Sequence, residues 1–266
     1  MPALRQTEGM SERFYHIGFG SDDLGIEPPT GVLLSGDPER SEYIATAKLS
    51  NARVLSTNRG LTSYLADLPN GRPVLCSTSG MGGPSTSIVL NELAQIGLKT
   101  VIRIGTTGSI QPHVPAGAIV VSSSALSRHG AALDIAPPEF PAVADPFLTV
   151  DLVNAAKALG FDVHVGMTAS VDTFFEGQER TATSANPNLQ RWLRGITDEY
   201  RSLGILNYEM EAATIFKMAS VYGLRAGCVC AVIAQRTEGE NVVFAAKEGA
   251  VDAAIDTAVA AIQLWA

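Results

Sequence analysis

Cysteine is scarce in this chain. Cys76, Cys228 and Cys230 are the three in 266 residues, too few and too apolar in setting for a disulfide framework or a zinc site. Cys228 and Cys230 alternate along an apolar run and would share one face of a strand, where Cys-x-Cys is a weak metal signal beside ordinary core packing. Charge is sparse as well, at 17% of residues, and its balance is acidic, with a formal net charge of −8. That excludes the basic face that nucleic acid or an anionic membrane would demand. No apolar run approaches bilayer-spanning length, and residues 1–13 lack the apolar core of a secretory leader. The expectation is a cytoplasmic protein with a flexible extension over residues 1–13 and one domain over residues 14–266. Hydrophobic residues make up 46% of the chain, enough for a well-buried core. An acidic protein of this kind that binds an anion must do so through a few placed arginines.

Short β-like runs alternate with helical patterns, predicting an α/β fold, a central mixed sheet flanked by helices. Strands are expected at residues 31–35, 53–56, 61–68, 73–78 and 118–126, along the run holding Arg103, and at 162–171, 204–208 and 225–234. Helices are expected at residues 39–48, from Pro84 to Gly97, and at 151–159, 186–203, 211–222 and 245–265. Residues 137–146 hold four prolines and read as a long irregular segment. The polar stretch from Asp172 to Arg180 reads as a loop. The candidate functional residues fall at strand ends and strand-to-helix turns, where open α/β sheets place their ligands.

Three constellations carry chemistry. In the first, Arg103 sits within β-forming residues and is followed by Gly105, Thr106, Thr107 and Gly108, which read as a glycine-flanked turn rich in hydroxyl and N–H donors. A guanidinium held there takes either an anion or a buried carboxylate as its partner. Gly36 and Arg40, at another strand-to-helix turn, read by themselves as a solvated helix surface and, combined with Arg103 and Thr106, as a phosphate site. In the second, Glu209 and Glu211 flank Met210 at a strand-to-helix junction, arranged either to accept vicinal sugar hydroxyls or to stabilise a helix start. In the third, Phe174 offers a ring for stacking. Gln178 carries a donor and an acceptor matching a uracil lactam edge, and Arg180 would face an exocyclic carbonyl, unless the loop is simply a polar surface. The glycines from Gly80 to Gly83 lack the spacing of a dinucleotide-binding turn.

The order of these motifs resembles the uridine phosphorylase branch of the hexameric nucleoside phosphorylase family. The resemblance rests on Ser35-Gly36-Asp37-Pro38-Glu39-Arg40, the run from Cys76 to Ser87 with Ser79-Gly80-Met81-Gly82-Gly83-Pro84 at its centre, Arg103-Ile104-Gly105-Thr106-Thr107-Gly108, Asp172-Thr173-Phe174 with Gly177-Gln178-Glu179-Arg180, and Asn207-Tyr208-Glu209-Met210-Glu211. It runs from about Phe14 to the C-terminus.

The resemblance implies reversible phosphorolysis of uridine, with secondary activity on deoxyuridine or thymidine, in a homohexamer built from dimers with shared active sites. Gly36, Arg40, Arg103 and Thr106 would bind phosphate, joined by Arg59 of a neighbouring subunit. Glu209, Met210 and Glu211 would bind ribose, with His16 reaching the 5′-hydroxyl across a dimer interface. Thr107, Gly108, Phe174, Gln178 and Arg180 would hold uracil beside a lid arginine, Arg236. Purine-cleaving relatives carry an aspartate near that lid, and none occurs here between Arg225 and Ala250. Phosphate would be a substrate, and no metal or other cofactor is implied. Relatives place a glutamate after the counterpart of Arg59 to help hold a monovalent cation, where this chain has Gly60. Their lid proline is replaced by Val242.

Overall fold

Strand β5 (Thr100–Ser109) organises the molecule. In a computed structural model, which describes residues 13–237 and 244–266, it runs parallel to β1 (Gly31–Ser35) along its first half. Beyond β1 it gains an antiparallel neighbour, β8 (Asn207–Glu209). On its other side it pairs along its length with β9 (Arg225–Gln235).

Two assemblies therefore share β5. An open wing continues outward through β1, β4 (Pro73–Thr78), β3 (Ser63–Asp67) and the edge strand β2 (Ser50–Ser56). A closed ring runs from β5 through β8, β7 (Val163–Val171), β6 (Ile119–Arg128) and β9 back to β5. Parallel and antiparallel pairs coexist, giving the mixed sheet that the alternation predicts.

Alternate strand residues feed opposite layers, as the two-residue period of a strand requires. Leu33, Ile102, Ile104 and Val229 pack toward α4 (Pro146–Ala158) and α7 (Phe244–Ile262). Val32, Leu34, Val101, Cys228 and Cys230 pack toward α2 (Gly83–Gln95) and α6 (Ala212–Tyr222), with the short α3 (Gly130–Ile135) set against both helices. Ile215, Phe216 and Met218 of α6 are sealed, each contributing about 1.5–3 kcal/mol of apolar burial. The three cysteines are free and buried. No helix among the described residues is long and apolar enough to cross a membrane.

Three local expectations are corrected. Residues 105–108 are strand, not turn, because their glycines serve close packing. A Cβ at Gly105 would lie 2.8 Å from the Cys230 sulfur, and one at Gly108 would lie 3.1 Å from Cδ of Arg236. The helix expected over 186–203 shrinks to a 3-10 turn at Arg191–Leu193 and α5 (Ile196–Ser202), broken by the left-handed Gly195 at φ 78°. Helix α4 starts earlier than residue 151, since Pro146 takes its first turn and Asp145 caps it, accepting from the N–H groups of Phe147 and Leu148 at 3.0 and 2.9 Å. Most of the expected extension at residues 1–13 lies outside the described residues, as does Val242.

Candidate active site

A cavity of about 550 Å³ opens where β5 exchanges its neighbour β1 for β8. Gly36 and Arg40 enter from the turn after β1 and from α1 (Pro38–Tyr43). Asp37 caps α1 by accepting from the Glu39 N–H at 3.0 Å, which seats Arg40 in the first turn of the helix. The Arg40 guanidinium donates to the Ser35 hydroxyl and the Ile104 carbonyl, both at 3.3 Å. Burial lowers its pKa, and Asp37 opposes that shift.

Arg103 stands on β5 at the register of Leu34, with its side chain 6% exposed. Its Nε donates to Glu209 at 3.0 Å, and its other arm pairs with Glu211. Burial works against this guanidinium, but Glu211 and Glu209 outweigh it and the net shift is upward. The two partners left open by the sequence thus coincide, because Arg103 is paired to buried carboxylates and lines the cavity as well.

The two glutamates differ. Glu209 is sealed, accepting from Arg103, from the backbone N–H groups of Glu211 and Ala212 at 2.8 Å each, and from the Ser170 hydroxyl. Its carboxylate fastens the start of α6 to the sheet. Glu211 accepts from the Gly82 N–H at 2.5 Å and keeps its side chain 5% exposed on the cavity. Gly80 and Gly82, at φ 68° and 85°, allow the turn after β4 to aim that N–H at Glu211.

At the far end, the loop after β7 delivers Phe174, Gln178 and Arg180. Nε of Arg180 donates to Oε1 of Gln178 at 3.1 Å, and the guanidinium lies 4.4 Å from the Phe174 ring centre. Thr106, Thr107 and Gly108 complete the wall between the two ends. The Thr107 hydroxyl donates to the Tyr208 carbonyl at 2.6 Å and pins β5 to β8. Arg236 lies against Gly108, its guanidinium 5.2 Å from the centre of the Tyr208 ring. Burial pushes the Tyr208 phenol up to about 12.

His16 and Arg59 do not line this cavity. They lie together elsewhere. Nδ1 of His16 meets Glu92 at 2.6 Å, Arg59 sits 5.4 Å over the Tyr15 ring, and the Asn58 amide donates to the carbonyls of Tyr15 and His16 at 2.9 Å each.

Sequence reasoning missed Asp37, Tyr208, Ile233 and Lys247 on the cavity wall. Lys247 was legible, since it shares a face of α7 with the buried Ala250 and Ala254 three and seven residues on. Ile233 was not. It is the extra residue of a bulge in which Thr107 pairs with Val232 and Gly108 with Ala234, and such a bulge re-aims a side chain.

The chain has relatives among known proteins. The chain is 46% identical over 226 residues to the uridine phosphorylase of Escherichia coli (strain K12), covering 85% of this chain and 87% of that protein. It is 40% identical over 243 residues to the uridine phosphorylase of Thermococcus kodakarensis, covering 91% and 84% respectively. It is 31% identical over 201 residues to the guanosine phosphorylase of Halorubrum lacusprofundi, covering 76% of each. The family model described as the phosphorylase superfamily matches residues 30–263, a span that holds the whole sheet and every residue on the cavity wall, and the chain belongs to that superfamily.

Proposed function

We propose that this chain catalyses the reversible phosphorolysis of uridine to uracil and ribose 1-phosphate. The observation that carries the reading is the union in one cavity of an anion end, a carboxylate step and a base end. Relatives named uridine phosphorylase at 46% and 40% identity support it. Gly36, Arg40, Arg103 and Thr106 hold phosphate beneath the sugar, so that its charge faces C1′ as the glycosidic bond breaks and C1′ becomes cationic. Glu211 accepts from the 2′ and 3′ hydroxyls beside Met210, while Glu209 holds Arg103 in place. Uracil leaves as an anion spread over its carbonyls, and Gln178 and Arg180 donate to it, so no dedicated acid is needed. Phe174 stacks on the ring, and Thr107, Gly108 and Arg236 border it.

A relative at 31% identity is named for guanosine, so the pyrimidine assignment rests on Gln178 and Arg180 and on the missing aspartate between Arg225 and Ala250. Deoxyuridine or thymidine would be secondary substrates. The reaction draws on no resident cofactor, and Gly60 supplies no carboxylate for a monovalent cation. His16 and Arg59 complete the site of a neighbouring copy, as expected of a cytoplasmic homohexamer built from dimers.

The test is uracil release from uridine with and without phosphate, run beside inosine and thymidine. Phosphate-dependent release from uridine, slower release from thymidine and none from inosine are expected. Cleavage without phosphate would make the chain a nucleosidase, and rapid inosine turnover would overturn the base assignment. The shared site is checked by coexpressing Arg59→Ala with Arg103→Ala, each impaired alone. Mixed oligomers are expected to regain activity, and a mixture no better than its parts would rule out sharing.

A further inference from the structure

We propose that Glu179 is a positioning residue for the base end of the cavity, acting through Gln178 and Arg180. This rests on reading those two residues as the base-recognising pair. They are buried and reach the cavity, whereas Glu179 between them is half-buried and does not line it. Glu179 has φ 54°, in the left-handed region that a residue with a side chain rarely adopts. A conformation of that cost persists where surrounding contacts hold it.

The holding contacts come from the carboxylate. Oε1 of Glu179 accepts from the Gly195 N–H at 2.6 Å, and Oε2 accepts from the Thr197 N–H at 3.1 Å. Both donors belong to the turn that enters α5, and that turn is anchored. Ile196 and Tyr200 are buried in one cluster with Tyr208 and Val171. The Thr197 hydroxyl also meets the Tyr208 phenol at 3.0 Å, and Tyr208 is itself part of the cavity wall. Residues 195–197 thus fix the base loop through Glu179 and the opposing wall through Tyr208.

The rest of the loop is tied at its start and to itself. Asp172 accepts from the Gly130 N–H at 2.8 Å, and the Thr173 hydroxyl oxygen accepts from the Gly177 N–H at 2.7 Å. The N–H groups of Arg180 and Glu179 donate to the carbonyls of Phe175 and Glu176, at 2.7 and 3.0 Å. These bonds curl the loop. Glu179 helps set its distance from the wall by binding the curled loop to α5, alongside Arg180, whose guanidinium lies against Gly108.

Two variants separate the carboxylate from the backbone. Glu179→Gly removes the tether while favouring the left-handed conformation, and Glu179→Gln keeps an acceptor of the same length. Steady-state kinetics are measured against uridine and phosphate separately, with thermal unfolding as a check on the fold. Loss of charge-assisted hydrogen bonds predicts a rise of about tenfold or more in the uridine KM of Glu179→Gly, with a smaller rise for Glu179→Gln. The phosphate KM is expected to stay within about twofold, because uniform binding to the other substrate is untouched. An unchanged uridine KM in Glu179→Gly overturns the assignment, and so does an equal rise for both substrates. A wild-type chain that leaves uridine intact overturns the base reading and this assignment together. Wild-type turnover with unaffected variants overturns the assignment alone.

Discussion

The two ends of the cavity are built on different principles. At the proposed anion end the side chains sit on strands and at helix starts, and their charges are balanced in place, with Arg103 between Glu209 and Glu211 and Glu209 further held by Ser170 and two backbone N–H groups. At the base end they sit on a loop fastened through Glu179, and Phe174 is 46% exposed. A buried charge tolerates little displacement, since Coulomb terms are steep in a low-dielectric site, so that end is made of the least adjustable parts. Selection among neutral bases turns on hydrogen-bond donors and ring stacking, which a loop can reposition at small cost. On the proposed reading, phosphate chemistry and base selection fall on opposite sides of the same cavity.

Arg103→Ala should break the comparison most severely. Phosphate-dependent uracil release is expected to fall by about a thousandfold or more, as for loss of a preorganised charge-stabilising donor. The same change leaves two buried carboxylates without their counter-charge, at a cost of about 3–5 kcal/mol in denaturant unfolding. Undiminished turnover would sink the assignment of the anion end. Gln178→Ala is milder and one-sided, with uridine KM rising about tenfold and phosphate KM steady in two-substrate kinetics. Parallel changes in both constants would mean that the two ends are not separable. Phe174→Ala should be smallest, a loss of about 0.5–1 kcal/mol in uridine binding measured by calorimetry, because an exposed ring contributes mainly stacking.

Much of this was legible in the sequence, for particular reasons. The alternation of apolar runs gave away the strands, and Pro38 and Pro84 marked helix starts that the structure keeps. Arg103 was recognisable because a lone cation inside a β-forming run has few ways to be satisfied. The closure of the ring was not legible, since the pairing of β5 with β9 joins residues over a hundred positions apart and leaves no local signature. Nor was the role of Ser170, one hydroxyl in an ordinary strand until β7 and β8 are set side by side in register with Glu209. Gly105 and Gly108 misled because glycine serves both tight turns and close approach, and only the neighbouring Cys230, Arg180 and Arg236 side chains show which applies.

The regularity of β5 has a metric consequence. The bulge at this point is carried by β9, so β5 advances evenly from Arg103 to Gly108, a span of about 16 Å at the usual rise of a strand. That strand is a gauge, fixing the interval along the cavity wall between the Arg103 charge and Gly108. Lengthening or shortening it by one residue would move the interval by about 3.3 Å and turn every later side chain to the opposite face. A change of length inside β5 would thus reshape the wall as a whole, whereas a change in the loops around it would reshape the wall only where they meet it.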